Sequence, residues 1–70
     1  MQASVHRYDE THGSATLVTD DARLIEARAA VVAAAGLRRL RIGQRLEVSV
    51  GADGAAEALA LPGRPLSPPA

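Results

Sequence analysis

Few residues in this chain are able to do chemistry. His6 and His12 are six apart, with no third ligand at a spacing a metal site would use. Cysteine is absent, which removes thiolate ligation, disulfides and a thiol nucleophile together. Ser14 has no histidine–acid set around it and does not sit in a nucleophile elbow. Asp20 and Asp21 are adjacent, so their side chains diverge and read as a turn, not as a carboxylate pair sharing a substrate. The "GADG" of residues 51–54 reads as a hairpin turn, not a phosphate loop. Together these readings predict a protein that is not an enzyme, with no metal, no cofactor and no small-molecule substrate.

Recognition chemistry remains. All eight basic residues are arginines. The guanidinium fork matches phosphate and carboxylate, although a GC-rich genome gives the same bias. From Arg23 to Arg45 there are six arginines against one acid, Glu26, while Asp9, Glu10, Asp20 and Asp21 come earlier with only Arg7 among them. The formal net charge is zero, which argues against strong non-specific attraction to nucleic acid or membrane. Arg38 and Arg39 read either as part of a phosphate track or as a solvated turn. Tyr8 is the one aromatic residue, so there is little on which to stack a base.

These side chains must be positioned by a small body. Seventy residues make one domain that buries only about 60% of its unfolded surface. The core must come from Ala, Val, Leu and Ile. Ala3–Tyr8 reads as a first strand and 9–13, "DETHG", as a polar turn. Ser14–Val18 alternates, with Ala15 and Leu17 on one face and Ser14, Thr16 and Val18 on the other. After a tight "TDDA" turn, Leu24–Arg28 alternates again, placing Ile25 and Ala27 opposite Glu26 and Arg28. Ala29–Ala35 is a short helical segment, with Gly36 at the left-handed cap position. Leu37, Leu40 and Ile42 read as anchors between arginines. "RLEVSV" (45–50) is the clearest strand, with Leu46, Val48 and Val50 inward. Ala56–Leu61 is a fifth, with Leu59 and Leu61 as its core contacts, and Pro62 ends it.

Five short strands with one helical turn between the third and fourth predict an all-β fold, a small antiparallel barrel of the oligonucleotide-binding (OB-fold) type. The domain is expected over 1–61 and a flexible proline-rich tail over 62–70. The tail's two P-x-x-P spacings fit either an aromatic groove or a floppy terminus. No signal-peptide core and no run near the ~20 apolar residues of a membrane span is visible, so a cytoplasmic protein without a membrane partner is expected.

Order, spacing and turns resemble the bacterial cold-shock domain over roughly Ala3–Leu61. The best part is 36–50, "GLRRLRIGQRLEVSV", which is similar to that family's entry into its fourth strand. "YDETHG" sits where the family has its aromatic-Asn/Asp loop, and "LVTDD" at its hydrophobic-x-x-Asp-Asp turn. The resemblance implies binding of single-stranded RNA or DNA on an exposed sheet face. The family's Lys-Gly-Phe-Gly-Phe-Ile corresponds to residues 12–17, and its Val-Phe-Val-His to residues 25–28. Inward positions stay small or aliphatic. Outward, two stacking Phe positions hold Ser14 and Thr16, a third holds Glu26, the His position is Arg28, and a Trp position on the first strand is Arg7. Stacking one base contributes about 1–3 kcal/mol, so losing three or four such contacts removes at least roughly 3–4 kcal/mol, two to three decades of affinity.

Two expectations follow. One is weak, salt-dependent binding of single-stranded nucleic acid by Arg7, Tyr8, His12, Ser14, Thr16, Glu26 and Arg28, supported by Arg38 and Arg39. The other is a protein-interaction or homodimerising module that uses the hydrogen-bonding face at Ser14, Thr16 and Val18.

Overall fold

A computed structural model describes residues 1–37 and 39–63. Arg38 and the proline-rich segment from residue 64 onward lie outside them. Five strands and one helix follow in order: β1 (Gln2–Asp9), β2 (Ser14–Thr19), β3 (Leu24–Ala27), α1 (Ala29–Ala34), β4 (Arg45–Val50) and β5 (Ala56–Ala60). The strands form one antiparallel sheet in the order β3-β2-β1-β4-β5. β3 and β5, at the two ends of that order, come together. No ladder joins them, so packed side chains close this small barrel.

Alternation selects the interior. Ala15 and Leu17 of β2, Ile25 and Ala27 of β3, and Leu46 and Val48 of β4 all point into one core. Small and large residues share that core, because the bore of a five-stranded barrel is narrow. α1 packs on β2 and β5 and sends Val32 into the interior. Two turns of helix are unstable alone, so this packing holds it. Gly36, at φ +72, takes the left-handed position that ends the helix.

Two expectations about anchors and one about the end of a strand need correction. Ile42 is 69% exposed and does not anchor its loop, whereas Leu40 is buried. Leu61 lies past the end of β5 and is 37% exposed, with Leu59 buried instead. Pro62 offers no N–H to carry the ladder on. β3 stops at Ala27, and Arg28 is the helix N-cap residue, not an outward strand position.

The largest departure is in β1. Val5 pairs with Leu17 but Arg7 pairs with Thr16, leaving His6 as an extra residue at a bulge. Without the bulge, and with His6 paired in turn, the alternation from Ala3 and Val5 would bury Arg7 and expose Tyr8. With it, Arg7 faces out and Tyr8, opposite Ala15, packs half-buried against the core.

Ala22, in the β2–β3 turn, has φ 67, a conformation that costs a non-glycine residue about 1–2 kcal/mol. Ala22→Gly should stabilise the fold by about 0.5–1 kcal/mol net of the greater freedom of the unfolded chain. A thermal melt checks this. A Tm that stays level or falls would mean that the turn carries no strain.

Candidate nucleic-acid interface

The outward side of β1, β2 and β3 is built in rows by the registers. Arg7, Thr16 and Glu26 lie abreast across the three strands. On one side of them is the row Ser4, Val18 and Leu24, and on the other the pair Asp9 and Ser14. No aromatic ring stands in any row. Four of the sequence candidates, Arg7, Ser14, Thr16 and Glu26, therefore share one face. The Thr16 hydroxyl donates to Glu26 Oε1 at 2.9 Å, closing the middle of the central row.

A shallow depression of about 490 Å³ opens at the Arg7 end, lined by Arg7, Tyr8, Asp9, Glu10, Ser14 and Thr16. Its two acids outnumber its one arginine. Tyr8 lines the rim but is half-buried against the core, opposite Ala15 on the inward side of β2.

Asp9 organises the loop beside it. Its Oδ1 accepts from the backbone N–H of Thr11 (3.0 Å) and His12 (3.2 Å), and its main-chain oxygen accepts from Gly13 N–H at 2.7 Å. Gly13 has φ +79, which only glycine adopts at little cost. His12 Nδ1 lies 2.7 Å from Asp9 Oδ2, so this candidate sits against a carboxylate while remaining exposed. The hydrogen bond with the His12 side chain, with backbone N–H groups helping, holds the Asp9 carboxyl below the usual aspartate value. The sequence signal for this role was an aspartate opening a turn, a residue that caps its own loop.

The structure separates Arg28 from this face. Arg28 Nη2 lies 3.4 Å from Asp53 Oδ2 in the β4–β5 turn, while Glu26 is bound by Thr16. It straps that hairpin to the start of α1 across the seam between β3 and β5. Both groups are exposed, so the strap is worth less than about 1 kcal/mol. Nothing in the local sequence announced Asp53 as the partner.

Arg45 is also engaged. Its Nη1 donates to Asp20 Oδ1 at 2.8 Å and Ser4 Oγ at 3.2 Å, and its Nη2 to Gln2 Oε1 at 3.1 Å. The guanidinium holds the Asp20 carboxyl below its ordinary value, and Asp20 in turn raises Arg45. Arg39 is exposed in the loop between α1 and β4. Arg38, the remaining candidate, is outside the described residues.

Among the described residues no group of three or more His, Asp or Glu side chains is placed to hold a metal ion, and no helix is long and apolar enough to cross a membrane. Comparison of the chain with protein-family models, characterised proteins and solved structures found no match.

Proposed function

We propose that the chain is a non-enzymatic module of the cold-shock type that holds single-stranded nucleic acid weakly and by salt-sensitive contacts. The observation that carries this reading is the open three-stranded face, with Arg7 outward at its end and Ser14 and Thr16 beside it. Such a surface accepts an extended strand without a cavity. With no ring on it, it cannot supply the roughly 1–3 kcal/mol per base that stacking gives. Titrating labelled oligo-dT at low salt and again at higher salt tests the reading. Saturable binding that weakens with salt supports it, and no binding at millimolar oligonucleotide refutes it.

One observation favours a second reading. Glu26 sits in the central row, and Asp9 and Glu10 stand at its end, so acids outnumber Arg7 on the face itself. Val18 and Leu24, the latter 62% exposed, lie side by side in the next row. A polar face with an apolar margin suits a protein partner or a second copy of the chain. Under this reading sedimentation gives a dimer or a partner complex, and the oligonucleotide does not compete with it.

A further inference from the structure

The arginines among the described residues divide into two sets. Arg23, Arg28 and Arg45 each face a carboxylate, at 3.4 Å from Asp21, 3.4 Å from Asp53 and 2.8 Å from Asp20. Arg7, Arg39 and Arg41 face none among the described residues. This second set flanks one junction of the fold, where β1 meets the loop before β4.

The β1–β4 ladder runs out at Ser4 and Arg45. Beyond it, Val5 is bonded to a turn instead of a strand. Val5 N–H donates to the Gln44 oxygen at 2.8 Å, and Gly43 N–H donates to the Val5 oxygen at 2.7 Å. The turn is closed on itself by Gln44 N–H to the Arg41 oxygen and by Arg41 N–H to Gln44 Oε1, both at 3.0 Å. Arg41 therefore opens a turn fixed to β1 two residues before Arg7. Leu40 is buried between exposed Arg39 and Arg41, pinning the loop that carries them. The bulge at His6 then turns Arg7 outward.

We infer that this edge, Arg7 with Arg39 and Arg41, grips the phosphodiester backbone of a single strand, and that contact has moved here from the ring-bare face. The inference rests on the nucleic-acid reading above and specifies its chemistry: phosphate contact, blind to base. Guanidinium pairs well with phosphate oxygens. Acids on the same strands mark the limits of the track. Glu26 is two strands over with its carboxylate bound by Thr16, and Asp9 and Glu10 lie past Arg7 at the end of β1. The phosphates thus run from Arg7 toward the turn, which leaves the bases free to lie over β2 and β3.

Three backbone contacts on a single strand give a log–log salt slope of about −2, so affinity falls roughly 20-fold between about 50 and 200 mM salt. Fluorescence anisotropy with labelled oligo-dT, and with an abasic strand of equal length, measures this. The expected result is near-equal affinity for the two strands. The R39Q/R41Q variant should have a slope of about −0.7, with a roughly threefold fall over the same salt range. R23Q, which removes a carboxylate-paired arginine, should leave the slope unchanged. Oligo-dT binding with an unaltered slope in R39Q/R41Q, or failure of the abasic strand alone, overturns the edge assignment and leaves the nucleic-acid reading standing. Absence of any binding to oligo-dT by the native chain overturns both.

Discussion

Leu46→Ala should cost the barrel about 4–5 kcal/mol, about half or more of its stability. Leu46 is completely buried and pairs across the ladder with Ala3, which is buried too. The core that it shares contains Ala3, Ala15, Ala27 and Ala56, whose side chains have no reach to swing into a gap. Truncating a buried leucine costs about 2–5 kcal/mol, and the upper part of that range applies where surroundings cannot collapse. A domain of this size has only about 4–10 kcal/mol in total. Urea denaturation followed by far-UV circular dichroism gives the result directly. A loss under about 1 kcal/mol would show that Leu46 is not part of a tight interior, and the closed barrel would have to be abandoned with it.

Putting rings back on the face should restore tight binding. Thr16 and Glu26 are direct cross-strand neighbours on the outward side of β2 and β3. Thr16→Phe together with Glu26→Phe replaces one hydrogen-bonded polar pair by two adjacent aromatic surfaces, a favourable cross-strand combination. Each ring adds about 1–3 kcal/mol of base stacking, and the loss of the Glu26 charge works in the same direction. Even at the low end the gain for oligo-dT is about 30-fold. The two terms need not add, since the sites touch. An abasic strand should gain far less, because it has nothing to stack. If the double variant folds and binds oligo-dT no better than the native chain, the face is not the surface along which bases would lie.

Much of this architecture is legible in the residues. "RLEVSV" and "SATLVT" show the period of two that a half-buried strand requires, and both are strands with the inward side as read. Gly36 after an alanine run marks the helix end. The site is less legible, for local reasons. Arg28 continues the alternation of β3 on paper, but the chain has already turned into α1, and its partner Asp53 is 25 residues away. Ile42 looks like an anchor by hydropathy, yet it sits in a turn fixed by backbone bonds from Gly43 and Gln44, which need no apolar contact. Tyr8 fails for a different reason. A bulge leaves no mark in composition, and beyond it every inside–outside assignment in the strand reverses.

That reversal gives His6 a significance unrelated to its imidazole. Counting along β1 before and after it is like reading in two frames, and the one-residue offset lets an arginine and a tyrosine each occupy the environment that suits it. Exchanging His6 for another side chain keeps the offset. Deleting its codon removes the bulge and still keeps both orientations: Val5 opposite Leu17 would be followed directly by Arg7 opposite Thr16 and Tyr8 opposite Ala15, as regular pairs. In this strand the bulge absorbs a surplus residue, so the strand's local bend, and not the direction of Arg7 or Tyr8, depends on His6 being there.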